Sequence, residues 1–203
     1  MDRNDVEHAG LFKAFNHLYS DDLFISNDCL NSSLIDEKIL KYFTDKLLLK
    51  ALQKVIFRDF RWETTLNIIR QKILINITCN SLAYTSGIFE FVISLANQCF
   101  LNEYIFLDTD NEQKMIDKLI ENIDNSKHFE LVISILACYR PLYSLVNDLP
   151  SLIFYSSHNN SFNELVKLQL VEPLEERFLA DQINLVTSIK DKISRKVRDQ
   201  YEQ

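Results

Sequence analysis

The chain has 203 residues, 47% apolar and 25% charged, enough apolar surface to bury a core, which excludes a disordered tail. Two glycines, Gly10 and Gly87, and three prolines, Pro141, Pro150 and Pro173, are too few for the turns of an all-β fold or for a phosphate-cradling loop. A formal net charge of −7 argues against binding along a phosphate backbone, which needs many Lys and Arg contacts, so no nucleic-acid partner is expected.

Leu11, Phe12, Phe15, Leu18 and Tyr19 fall at helical spacing and predict a first helix, closed by Ser20-Asp21-Asp22. Ser33 and Asp36 resemble a capping box, and Ile35, Ile39, Leu40 and Phe43 follow as an apolar stripe. The next stripe, Leu47, Leu48, Ala51, Leu52 and Val55, has Thr44 as its expected cap. Phe60, Trp62, Leu66, Ile69, Ile73 and Ile77 keep three- and four-residue steps and predict a helix, although Ile73, Ile75 and Ile77 also alternate as a strand would. Residues 86–106 are apolar on most sides and are expected at the centre of the core.

Thr109-Asp110-Asn111-Glu112 is a capping box ahead of Met115, Ile116, Leu119, Ile120 and Ile123. Asn125-Ser126 separates that helix from Phe129, Val132, Ile133, Leu136 and Ala137, which Pro141 ends or redirects. The polar run 156–161 reads as a surface loop leading into a third capping box, Ser161 to Glu164. Pro173 suits the first turn of another helix, with Leu185, Ile189, Ile193, Val197 and Tyr201 marking the last stripe. The sum is an all-α multi-helical array or bundle of about ten helices without a sheet. Residues 1–203 are read as one domain, with any subdivision falling near 107–110.

Cys29, Cys79, Cys99 and Cys138 form no C-x-x-C pair and read as half-buried free thiols. With an acidic, polar N-terminus and no run of about 18 apolar residues, a cytoplasmic chain without membrane contact is expected.

Few residue groups hint at chemistry. Glu103, between Asn102 and Tyr104 in an apolar stretch, is either a buried acid/base or, the favoured reading, a hydrogen-bonded carboxylate joining two helices. Glu172, Glu175 and Glu176 offer oxygen ligands for a hard cation, but acidic residues also belong in a first helical turn, and no metal is expected. His8, His17, His128 and His158 lack zinc-pair spacing. Lys190, Lys192, Arg195, Lys196 and Arg198 give the C-terminal helix a basic side, read as a solvated face before a docking surface for an acidic partner. Arg140, beside Pro141 and Tyr143, could meet an anion at a pocket lip, with a helix stop the simpler reading. No catalytic, cofactor-binding or metal-binding residue is assigned, and no dinucleotide or adenosylmethionine loop is present.

Five stretches carry a resemblance. They are Trp62-Glu63 with Leu66, Arg70 and Ile73-Leu74; Gln98 to Phe106; Tyr139-Arg140-Pro141-Leu142; Glu172-Pro173 with Glu175-Glu176; and Val197 to Glu202. In this order they resemble the helical region preceding the catalytic domain in bacterial tetratricopeptide-repeat proteins fused to class I S-adenosylmethionine-dependent methyltransferases, over roughly residues 12–203. The resemblance implies an accessory domain that positions substrate or docks the catalytic domain. In that family a linker and the cofactor-binding sheet follow the segment like Gln200-Tyr201-Glu202, so adenosylmethionine would belong to a longer parent protein and no site residue carries over. The 34-residue repeat signature is absent. The alternative is a free-standing helical adaptor that binds a protein partner or itself; a small enzyme using Glu103 ranks last.

Overall fold

The structure, a computed structural model, describes residues 13, 15–19, 40–79, 81, 83–123, 126–182, 196 and 200. The expected helix end at Ser20-Asp21-Asp22, the capping box at Ser33, His8, Cys29, the whole last apolar stripe and all of the basic run but Lys196 lie outside them. Seven α-helices have bounds within the described residues: α1 Lys46–Lys54, α2 Phe60–Thr78, α3 Ser86–Leu101, α4 Asp110–Glu121, α5 Phe129–Leu136, α6 Asn160–Val166 and α7 Glu172–Gln182. No strand occurs among these residues, so the fold is all-α, with fewer helices than the ten expected. Of the expected helices, the one over 11–19 is only partly described, the last stripe lies outside the described residues, and the stripe from Ile35 ends in a 3-10 turn, Lys41–Thr44, as short as those at Leu142–Leu145 and Pro150–Phe154.

Side chains that satisfy the free N–H groups set where helices begin. Asp45, not Thr44, caps α1, its carboxylate accepting from Leu47 and Leu48 N–H; Thr44 belongs to the preceding 3-10 turn. Asp59 caps α2 and Thr85 caps α3. The Thr109 and Glu112 capping box of α4 is present in both halves. The expected box at Ser161 is displaced: Asn159 caps α6 by accepting from Phe162 N–H, while its amide donates to Glu90 at 2.8 Å. An asparagine two residues earlier can do both, capping its helix and tying it to α3. The α2 stripe is helical throughout, so its isoleucine alternation has no strand behind it.

The core is built around α3, eleven of whose sixteen residues are buried, as the apolar character of 86–106 predicts. It packs against α1, α5, α6 and the Lys41–Thr44 turn, while α2 packs against α4 and α5. Phe43 stacks on Phe91 with ring centroids 4.0 Å apart. This close approach of turn and helix depends on Gly87, where a Cβ would sit 2.7 Å from Thr44 Cγ2. Polar ties fix the register of α1: Gln53 donates to Ser94 Oγ, and the Gln98 amide caps the end of α1 through Val55 and Leu52 carbonyls. Residues 15–19 are helical and rest on α2, with Phe15 against Phe57 and Trp62 and with Tyr19 donating to Asp45.

The C-terminal helices are continuous. Between α6 and α7 the segment Lys167–Val171 is a π turn, in which Glu172 N–H donates to the Lys167 carbonyl five residues back. Pro173 explains it. A proline inside an α-helix has no N–H to give and its ring meets the carbonyl four residues earlier, so widening the preceding turn lets the helix pass. Pro173 is the second residue of α7, in the first turn as expected, while α7 itself runs on from α6 through the π turn.

Candidate functional site

The densest gathering of ionisable groups surrounds Arg70, a charged residue on the stripe that Leu66, Ile69 and Ile73 share on α2. Its side chain is 1% exposed. Nη1 donates to the Cys138 carbonyl at 3.3 Å; Nη2 donates to Asn67 Oδ1 at 2.9 Å, to the Leu107 carbonyl at 3.3 Å and to Asp108 Oδ1 at 3.2 Å. Glu112 Oε1 lies 3.8 Å away, and the guanidinium centre lies 4.1 Å from the Tyr139 ring and 5.4 Å from that of Phe106. Glu112 accepts in turn from Tyr139 Oη at 2.9 Å, Thr109 N–H at 2.9 Å and Thr109 Oγ1 at 2.8 Å.

These contacts decide the protonation chemistry. Burial pushes the Asp108 carboxyl above the usual carboxylate range; Arg70 opposes that push and Glu112 adds to it. Burial also drives the Tyr139 phenol far above its ordinary value. A buried guanidinium whose Nη2 is nearest to both carboxylates, packed over two aromatic rings, joins α2, the α3–α4 connection, α4 and the end of α5. Nη1 and Nη2 are directed at groups of the chain itself, while the buried Nε has no hydrogen-bond partner. Sequence reading places Arg70 only within a motif, but the signal is there: an arginine at a core position requires partners.

A second buried junction lies across α3. Tyr104 Oη donates to the Ala137 carbonyl at 3.2 Å or to Gln169 Oε1 at 3.0 Å, and Gln169 Nε2 donates to the Ala96 carbonyl at 2.9 Å. Burial places the Tyr104 phenol far above its ordinary value. The backbone that delivers this ring is strained, since Glu103 and Tyr104 take φ of 56° and 57°. Tyr104 N–H reaches the Cys99 carbonyl and Glu103 N–H reaches Phe100, the paired bonds that end a helix with a left-handed residue where glycine is usual. The Glu103 side chain is exposed, which corrects both sequence readings of it. It is neither a buried acid nor a link between helices; it stands at a backbone turn that aims Tyr104 inward.

The other candidates disperse. Arg140 is held by Gln113 and lies 3.9 Å from Asp117, so it braces α4. Arg177 lies over the Tyr143 ring at 4.3 Å. Glu172 is 3.6 Å from Lys167, and Glu175 and Glu176 face outward. Among the described residues no group of three His, Cys, Asp or Glu could hold a metal ion. Cys99 and Cys138 are fully buried, more than the half-buried thiols expected, while Cys79 is exposed. Burial raises the Cys138 thiol and contact with Cys99 raises it further, which keeps it protonated and unreactive.

A cleft of about 660 Å³ opens where the ends of α2 and α4 meet the start of α5. Asn76, Thr78, Lys118, Asn122, Lys127 and His128 supply its polar lining, and the His128 ring stacks flat on Tyr84 with centroids 4.6 Å apart. Amides, the Ser126 hydroxyl and solvated ammonium groups there can hold a ligand by hydrogen bonding, and Ser126 Oγ itself accepts from His128 N–H at 3.2 Å. No helix among the described residues is long and apolar enough to cross a membrane.

Comparison with protein-family models, with curated proteins and with solved structures finds no match for this chain. Among the described residues of the motifs that carry the methyltransferase-associated resemblance, Trp62, Leu66, Ile73, Leu74, Cys99, Phe106, Tyr139 and Leu142 are buried, whereas Glu103, Ile105, Glu175 and Glu176 are exposed.

Proposed function

We propose that this chain is a helical docking domain, whose work is to hold and position a protein partner rather than to turn over a substrate. One observation carries the reading. Helix α7 continues directly from α6, which buries Phe162, Leu165 and Val166, yet none of the eleven residues of α7 is buried, and Phe178 and Leu179 stand 65% and 58% exposed. A helix rooted in a rigid body and presenting apolar side chains to solvent is the form of a contact element. The buried ionisable groups support the same reading, since Arg70, Glu112 and Tyr139 fasten helices to one another.

The partner implied by the motif resemblance is a class I S-adenosylmethionine-dependent methyltransferase domain in the same parent polypeptide, with this chain as its non-catalytic accessory region. The second reading is a free-standing adaptor that binds itself, favoured by the opposite charges of residues 172–181 and 190–198. Intact mass of the naturally expressed polypeptide separates them. A product much heavier than 23.9 kDa that binds adenosylmethionine supports the accessory domain; a matching mass supports the adaptor. Phe178→Asp with Leu179→Asp tests the docking role itself: the thermal midpoint should stay unchanged, and a drop as large as a core substitution gives would make α7 part of the core and refute it.

A further inference from the structure

The cleft between the ends of α2 and α4 and the start of α5 has a charge that runs against that of the chain as a whole. Its charged lining is Lys118 and Lys127, with no carboxylate among the described lining residues, on a chain of formal net charge −7. A concave surface of one sign with apolar walls concentrates ions of the other sign. Ile77, Leu119, Leu131 and Val132 supply the apolar part, and Leu131 and Val132 belong to the buried core.

Helix electrostatics account for only one of the two lysines. Lys118 sits in the last turn of α4, where a cation complements the helix end. Lys127 instead precedes His128, the N-cap of α5, and a cation is disfavoured at that end. Neither ammonium has a carboxylate partner among the described residues. Glu130, the acid in the first turn of α5, lies outside the lining and accepts from Tyr155 Oη at 2.8 Å. Neutral donors of the lining turn back onto their own helices: Asn76 Nδ2 donates to the Lys72 carbonyl, Thr78 Oγ1 to that of Leu74 and Asn122 Nδ2 to that of Lys118. The two ammonium groups are therefore the strongest donors left for a ligand.

We infer that this cleft binds a small organic anion, a carboxylate or phosphate monoester with a short apolar body. Lys118 and Lys127 hold the anionic head, and the body rests on Ile77, Leu119, Leu131 and Val132. A volume of about 660 Å³ suits a ligand of this kind. No residue of α7 lines the cleft, so the site stands independently of the docking role.

Titration of the isotope-labelled full chain with sodium octanoate, followed by backbone amide chemical shifts, tests the inference. Saturating shifts should centre on residues 76–78, 118–122 and 126–132. Butanoate, four methylenes shorter, should bind at least about tenfold more weakly. Octyl phosphate in place of octanoate tells a phosphate head from a carboxylate, and saturable binding of either supports the site. Lys118→Gln with Lys127→Gln should weaken the better ligand by about three- to tenfold, whereas Lys50→Gln with Lys54→Gln, the same loss of charge on α1, should not. Shifts that fail to saturate with both anions, shifts centred elsewhere, equal binding of octyltrimethylammonium or 1-octanol, or an affinity unchanged in the Lys118 and Lys127 pair overturns the inference.

Discussion

Replacing Arg70 with methionine keeps most of the side-chain volume and removes every donor. The Cys138 and Leu107 carbonyls each lose a charged donor, worth about 1.5–3 kcal/mol per bond, while Asp108, 22% exposed, can turn toward water. Glu112 keeps Thr109 and Tyr139 but loses its nearest cation, 3.8 Å away. Breaking a buried pair by removing one partner costs about 3–5 kcal/mol, and the exits open to Asp108 place the expected loss near the lower bound, about 3 kcal/mol. Urea unfolding followed by far-UV circular dichroism measures it, with the slope unchanged and the midpoint lowered. Glu112→Gln in the same background completes a double-mutant cycle, whose coupling should be about 1–3 kcal/mol. An Arg70→Met loss below about 1 kcal/mol, or strict additivity with Glu112→Gln, would refute the reasoning that this network fastens α2 to α4.

Two further outcomes come from the packing and from the buried phenols. Gly87→Ala forces a methyl to 2.7 Å from Thr44 Cγ2 and should destabilise by about 1–3 kcal/mol; in a Thr44→Ser background, which lacks that methyl, the same change should become neutral or stabilising by thermal melt. Burial raises the Tyr104 and Tyr139 phenols above the ordinary 10.0 in the folded state, so their contribution is fully present below pH 10 and is lost as pH rises beyond it, when only the unfolded chain releases their protons. Absorbance at 295 nm should therefore show these two ionising together with the loss of helix, whereas early, gradual ionisation of all eight tyrosines would contradict their burial.

Much of the architecture was legible because helical periodicity and caps are local signals. Thr109 and Glu112 lie three residues apart, so their box can be read from the chain, and the uniformly apolar run beginning at Gly87 has only the core to enter. What depended on distant contacts was not legible. Asn159 outcompetes Ser161 as a cap because Glu90, 69 residues away, holds its amide. From its apolar neighbours Glu103 reads as a carboxylate joining two helices before a buried acid, whereas the geometry that matters is a left-handed backbone, which sequence reveals only when glycine stands there. Arg70 shows the same limit from the other side: its partners Leu107, Asp108 and Cys138 come from connections between helices, where no periodicity announces a contact.

The π turn at Lys167–Val171 gives α7 an angular setting that is independent of its composition. Each residue of an α-helix rotates the downstream chain by about 100° and advances it by about 1.5 Å, so one residue more or fewer in this turn would re-aim Phe178 and Leu179 to another side while leaving both the helical body and the α7 sequence intact. Pro173 holds the turn open and so keeps the setting from relaxing. Single-residue insertions and deletions at this point are the smallest changes by which such a chain could exchange one partner surface for another.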